Sequence, residues 1–209
     1  MKIKICGLNP ARDVQLCINL KVHYLGFVFY EKSPRNIKLS DIKILSNYDK
    51  KDSAYVAVTV NPSDDFIKKN LIGNFNYIQL HGSETKDRVT EIKNMGFKII
   101  KAIKVKELKD TALYKDYENT ADLILFDSTS MEKSKSIPKD LLSKLPNGEK
   151  FGLAGAINSE NIIEYSQLGF NFLDLSSGLE KENLKGYKDH NKIKDFIKRV
   201  NEINENTFI

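Results

Sequence analysis

Tryptophan is absent from this 209-residue chain, and cysteine, histidine and proline are scarce, at two, three and five residues. Cys6 and Cys17 are too few for a disulfide scaffold and their spacing matches no zinc motif, so both read as free thiols. His23, His81 and His190 are too dispersed for a His-rich metal site, which speaks against the metal-dependent sugar-phosphate epimerases. Few prolines, eleven glycines and no Ser- or Gly-rich tract argue against disorder or a linker. No apolar run approaches the ~18 residues that a membrane span needs. The start, MKIKICGLNP, lacks the apolar stretch and small-residue cleavage site of a signal peptide. The expectation is a cytoplasmic protein with no membrane contact and no metal.

What is present is an ordinary globular composition, 41% apolar and 29% charged, with 33 Lys and Arg against 28 Asp and Glu. The excess of five positive charges is Lys-rich and interleaved with acids, with no basic arm. It fits a solvated surface, with an anionic substrate or a nucleic-acid patch as the lesser readings, and no nucleic-acid partner is expected. At ~150 residues per domain the length implies a single domain over residues 1–209.

Short apolar, β-branched or aromatic runs alternate with longer amphipathic segments. The runs begin near Lys2, Tyr24, Ala54, Asn76, Lys98, Ala121, Lys150 and Asn171, at intervals of about 24 residues, enough for a strand, a helix and two tight loops. Several connectors have helical spacing: Val14, Cys17 and Ile18; Phe66, Ile67 and Leu71 behind a Ser63 cap; Val89 and Ile92 ahead of Gly96; Ile162, Ile163 and Tyr165; and Ile193, Phe196, Ile197 and Val200. Three connectors are weaker, carrying Ile42 and Leu45, Leu108 and Leu113, and Leu141, Leu142 and Leu145. Eight βα units in series predict an α/β fold, a closed (β/α)8 TIM barrel, with an open doubly wound sheet as the structural alternative.

Such a barrel carries its chemistry at the C-terminal ends of the strands. Cys6 ends the first run and Asp127 the sixth, so a thiol and a carboxyl share one mouth. A proton shift needs such a base and acid, with the thiol pKa lowered towards neutrality and the carboxyl pKa raised. On residue type alone Cys6 reads more readily as a small buried hydrophobe, and Asp127 fits a helix or loop cap equally well. Gly155 and Ala156 after the seventh run, with Ser176, Ser177 and Gly178 after the eighth, suit close approach to a phosphate, although glycines there are also common turn residues. Arg35 follows the second run and could pair with a carboxylate or sit in solvent. His81 could bond a substrate or cap the rim.

With these residues assembled, the chain resembles the phosphoribosylanthranilate isomerase family of tryptophan biosynthesis. The matching stretches are KICGL at 4–8, GFVFYEKSPRNI at 26–37, VAVTVN at 56–61, IQLHG at 78–82, LFDS at 125–128, GLAGAINSENI at 152–162, and LDLSSGLE with KGYKD over 173–189. They run in family order along nearly the whole chain and are specific as a set. The resemblance implies a cofactor-free Amadori rearrangement of N-(5-phosphoribosyl)anthranilate, a small phosphorylated substrate. It makes Asp127 the acid, Cys6 the base and Arg35 the partner of the anthranilate carboxylate. Gly155, Ala156, Ser176, Ser177 and Gly178 would form the phosphate site, with Asp174 and His81 in support. It leaves the assembly as a monomer or homodimer.

Two departures from the family pattern stand out. From Ser128 the chain reads STSMEKSKSIPKDLL where the family has a glycine-rich GGTG stretch and then FDW. Ala156 stands where a second glycine is common, and its Cβ would crowd the phosphate if the residue adopts positive φ. A degenerate barrel that binds a phosphosugar without turnover is one alternative. Another cofactor-free phosphosugar isomerase, such as that for the histidine-pathway Amadori substrate, is a second.

Overall fold

A computed structural model of the chain describes residues 1–128 and 136–206. Strands β1 (Lys2–Cys6), β2 (Tyr24–Phe29), β3 (Ala54–Thr59), β4 (Tyr77–Leu80), β5 (Lys98–Val105), β6 (Leu123–Ser128), β7 (Gly148–Ala154) and β8 (Phe170–Leu175) pair in sequence order. All neighbours are parallel, and β8 pairs back onto β1 through Lys2↔Phe172, Ile3↔Leu173, Lys4↔Asp174 and Ile5↔Leu175, closing the predicted barrel. Residues 129–135, which hold most of the divergent sixth loop, lie outside the described residues.

The helices are α1 (Pro10–Asn19), α2 (Asp64–Phe66), α3 (Lys86–Asn94), α4 (Lys139–Leu142), α5 (Ile162–Ser166) and α6 (His190–Asn206). The Asn9 side chain accepts from the Ala11 and Arg12 amides and Pro10 opens α1, so local chemistry starts the helix that buries Val14, Cys17 and Ile18. Ser63 accepts from Phe66 N as expected, but the segment behind it continues as a single π-turn over Ile67–Leu71. The weak second and fifth connectors are 3-10 turns, Leu39–Asn47 and Leu108–Asp116. Leu108, Leu113 and Ile163 are exposed rather than part of an inward stripe. An addition that the sequence pattern did not signal is an antiparallel hairpin after β8, made of β9 (Glu180–Lys181) and β10 (Leu184–Lys188).

Strand alternation divides the apolar residues into two cores. One face of β1, carrying Ile3 and Ile5, packs with Leu25, Phe27, Ile78, Ile99, Ile124 and Phe126 under the helices. The other face points along the barrel axis, where Val56, Ile100, Leu125 and Phe172 fill the interior. Tyr24 lies 5.5 Å, ring to ring, from both Tyr77 and Phe172, forming an aromatic plug. Gly152 makes the plug possible: a Cβ there would stand 2.2 Å from the Phe172 ring.

One ion pair inside the outer layer holds the ends of β3, β4 and β5 together. Glu84 accepts from the Asn61 and Gly82 amides and from Lys101 Nζ at 2.9 Å, and Lys101 also donates to the Leu80 and Gly82 carbonyls. Both side chains are almost wholly buried. Burial pushes the Glu84 carboxyl up, but the Lys101 charge and hydrogen bonds outweigh it and hold the group below the usual carboxylate range. Lys101→Met therefore strands a buried carboxylate and is expected to cost about 3–5 kcal/mol at neutral pH. Because a lowered folded pKa contributes stability above the unfolded value and loses it as pH falls through the folded value, the gap between mutant and wild type should narrow progressively as pH falls below the usual carboxylate range. Urea unfolding at pH 7 and pH 3.5 measures both.

Candidate functional site

Lys4 and Cys6 lie two residues apart on β1, so both side chains point into the barrel. Lys4 is wholly buried, its Nζ 2.7 Å from Asp174 Oδ2 on the neighbouring strand. Cys6 sits above it at the mouth, opposite Gly26 in register. A Cβ at position 26 would stand 3.3 Å from both Cys6 Sγ and Lys4 Nζ and 3.1 Å from Cys6 Cα, so the glycine leaves the space that thiol and ammonium share.

The thiol pKa does not fall as expected from the sequence. Burial pushes Cys6 up, Lys4 pulls it down, Asp174 pushes it up again, and Lys188 and Arg35 pull it down, with burial prevailing. Burial likewise raises Asp174 in spite of Lys4, and its second oxygen, Oδ1, is buried without a hydrogen-bond partner among the described residues.

Asp127 ends β6 at the same mouth, partly exposed. His81 Nε2 lies 3.2 Å from its Oδ2, and Gln79 Nε2 lies 3.1 Å from His81 Nδ1. The His81 ring is thus held between Gln79 on one nitrogen and Asp127 on the other. Asp174 is close enough to feel the charges of Asp127 and His81 as well as Lys4, and so links the two sides of the mouth.

Arg35 is neither free in solvent nor unpaired. Its Nε and Nη2 bond the Glu180 carboxylate at 2.5 and 3.0 Å. Its methylenes cover Gly7, whose φ of +76° and close contact, 2.5 Å from a would-be Cβ to Arg35 Cδ, leave room for no side chain. Lys188, on β10, is buried and donates to the Ser176 carbonyl at 2.9 Å. Ser176 Oγ in turn donates to the Cys6 carbonyl at 3.1 Å, binding the eighth loop to the first strand.

The seventh and eighth loops meet closely. Gly155 has φ +107° and a would-be Cβ 2.9 Å from Ser128 Oγ; a Cβ on Gly178 would stand 2.5 Å from the Ile157 carbonyl oxygen. Ala156 does take positive φ, +53°, and its carbonyl accepts from Asn161 Nδ2 at 2.8 Å. Ser177 is exposed at the start of a 3-10 turn, Ser177–Leu179. Among the described residues no group of three or more His, Cys, Asp or Glu is arranged to hold a metal ion, and no helix is long and apolar enough to cross a membrane.

The structure thus brings Asp174 and Arg35 close to the Cys6 thiol, ties Ser176 to the Cys6 carbonyl, sets Asp127 beside His81, and brings Gly155, Ala156 and Gly178 to the adjoining loops. Sequence reasoning missed Lys4, Lys188, Glu180 and Gln79. The alternation of KIKIC, which puts a lysine and not an isoleucine on the thiol's face, was the available signal for Lys4.

A family profile described as N-(5'-phosphoribosyl)anthranilate isomerase matches residues 3–199. An isomerase of that name from Aquifex aeolicus is 36% identical over 212 residues, covering 96% of this chain and 98% of the relative. The phosphoribosyl anthranilate isomerase of Thermotoga maritima superposes with a TM-score of 0.83 at 28% identity, covering 97% and 99% of the two chains. A phosphoribosyl anthranilate isomerase solved in complex with reduced 1-(o-carboxyphenylamino)-1-deoxyribulose 5-phosphate matches with a TM-score of 0.80, 28% identity and the same coverage. With its barrel closed and its motifs in order, the chain belongs to the N-(5'-phosphoribosyl)anthranilate isomerase family.

Proposed function

We propose that this chain catalyses the Amadori rearrangement of N-(5-phosphoribosyl)anthranilate to 1-(2-carboxyphenylamino)-1-deoxyribulose 5-phosphate in tryptophan biosynthesis, with Asp127 as acid and Cys6 as base. The observation that carries the reading is the inward thiol flanked by Lys4, Lys188 and Arg35 at the mouth that also holds Asp127.

Asp127 gives a proton to the furanose ring oxygen as the C1–O bond breaks and the anilino nitrogen's lone pair forms the iminium. The Cys6 thiolate removes the C2 proton, leaving an enolamine. That intermediate tautomerises, taking a proton at C1 and releasing its C2 hydroxyl proton as the ketone forms, while Cys6 gives its proton to solvent and Asp127 takes one back, so acid and base return to their starting states. Arg35 meets the anthranilate carboxylate through a planar fork. Gly155, Ala156, Ser176, Ser177 and Gly178 receive the phosphate, Asp174 positions Lys4, and His81 orients Asp127. No cofactor is needed for a proton shift of this kind. The chain works as one domain in the cytoplasm, as a monomer or homodimer, on a small phosphorylated substrate.

The test is a steady-state assay following loss of anthranilate-type fluorescence with freshly made substrate. Cys6→Ala and Asp127→Asn should each lower kcat by about 10²–10⁴ while changing KM little. A wild-type protein that binds a phosphorylated product analogue without turnover would instead identify a non-catalytic barrel.

The pH profile gives a second prediction. Thiolate increases as pH rises, so kcat/KM should climb on a limb that burial has displaced upward. Lys4→Gln removes the strongest of the influences that pull the thiol down, and that limb should move to higher pH. An unmoved limb would remove Lys4 from the role.

A further inference from the structure

A guanidinium has a side edge, Nε with Nη2, and an end edge, Nη1 with Nη2, and each can meet a carboxylate through two parallel bonds. Glu180 fills the side edge of Arg35. The end edge has no protein partner among the described residues.

Glu180 is itself held firmly. Its side chain is 6% exposed, Lys188 Nζ lies 3.5 Å from Oε1, and the Gly186 amide donates to the carboxylate. Lys192 Nζ donates to the Glu180 carbonyl at 3.1 Å. Gly186, at φ +81°, stands so close to the second loop that a Cβ there would lie 2.4 Å from the Pro34 carbonyl oxygen. The hairpin of β9 and β10 therefore braces the loop that carries Arg35 as well as the guanidinium. At the other end of the side chain, the Arg35 methylenes rest on Gly7, the residue after Cys6. A continuous set of contacts runs from hairpin to Glu180 to Arg35 to the residue beside the thiol.

We propose that Glu180 is a positioning residue that locks the Arg35 guanidinium by its side edge, leaves only the end edge for the substrate's aryl carboxylate, and so sets the preference for a carboxylated arylamine over one without the carboxylate. This rests on Arg35 being the carboxylate anchor. A free arginine side chain loses rotamer freedom when it is ordered on a ligand, and a guanidinium held before binding does not lose it on binding. Glu180 does not act as a competitor that substrate displaces, because its departure would leave Lys188 buried beside the Ser176 carbonyl with no counter-ion.

The experiment compares kcat and KM for N-(5-phosphoribosyl)anthranilate and for N-(5-phosphoribosyl)aniline, which lacks the carboxylate, with products separated by chromatography. The readout is the ratio of the two kcat/KM values. Glu180→Gln should lower that ratio by about tenfold, through KM for the carboxylated substrate, while any effect on the neighbouring thiol falls on both substrates and cancels in the ratio. Arg35→Met should lower the ratio at least as far. The double substitution Glu180→Gln with Lys188→Gln removes both buried charges together. It should show the same fall in ratio even if Glu180→Gln alone folds poorly, since any change near the thiol affects both substrates alike.

Three results would overturn the proposal. A ratio kept by Glu180→Gln and the double variant but lost in Arg35→Met removes Glu180 from the role and leaves the anchor reading intact. A ratio kept even in Arg35→Met overturns the anchor reading and this inference with it. A lower KM for the carboxylated substrate in Glu180→Gln identifies Glu180 as a rival carboxylate.

Discussion

The Lys4–Asp174 ion pair bridges the seam where β8 closes onto β1, and the site is built outward from it. Taking two charges out of water costs several kcal/mol per ion, and mutual attraction offsets this only with good geometry. Here the geometry comes from the barrel: the two residues are register partners on adjacent strands, so the 2.7 Å contact needs no adjustment of the backbone. The cost is still not fully met, because Asp174 Oδ1 has no hydrogen-bond partner among the described residues. An apolar pair at these positions would close the seam with less desolvation. What it would not supply is a cation beside Cys6.

The two cores separate stability from chemistry. The layer between strands and helices is aliphatic and aromatic, with one buried ion pair, Lys101–Glu84, where the fourth loop has to be held. The barrel interior is closed below by Tyr24, Tyr77 and Phe172 and becomes charged towards the mouth. Glycines allow the transition. Gly152 admits the Phe172 ring, Gly26 admits the thiol and the Lys4 ammonium, and Gly7 admits the Arg35 side chain. Each is a place where a Cβ would push a ring or a charged group out of line. These contacts explain why small residues lie within the strands and at the first strand's end, where turn geometry does not require all of them.

What could be read from the sequence follows the strength of the local signals. Eight β-rich runs at even spacing are visible because period-two alternation and parallel pairing favour the same residues, and the cap at Ser63 is local. The 3-10 connectors misled because their apolar residues are few: Ile42 and Leu45 are buried, whereas Leu108 and Leu113 face outward. The hairpin of β9 and β10 is short and mostly polar, its Leu184 and Tyr187 exposed, and only its packing under Pro34 and around Glu180 reveals it. Cys6 and Asp127 could be found because strand ends are where a barrel keeps its chemistry. Lys188 and Glu180 could not, since a lysine and a glutamate in a charged segment look the same whether they are solvated or buried. The direction of the thiol's shift was inaccessible for a related reason: it depends on burial set against three cations drawn from three separate parts of the chain.

That contest also bears on which group at the mouth carries negative charge. Lys4, Lys188 and Arg35 set three cations against the carboxylates of Asp174 and Glu180. Counted with all five of these side chains ionised and the thiol protonated, the cluster carries one formal positive charge in excess, in a region where uncompensated charge is expensive. Ionising Cys6 removes the excess. Burial opposes the thiolate because it is a small anion losing water, whereas the cluster favours it because it completes the balance. Asp174 cannot take over that role, since its charge is already committed to Lys4, and Glu180 is committed to Arg35 and Lys188. Cys6 faces Lys4, whose short ion pair is already made with Asp174, so the fold does not depend on the thiolate, and a group that exchanges a proton with carbon has to be free to gain and lose its charge without disrupting the fold.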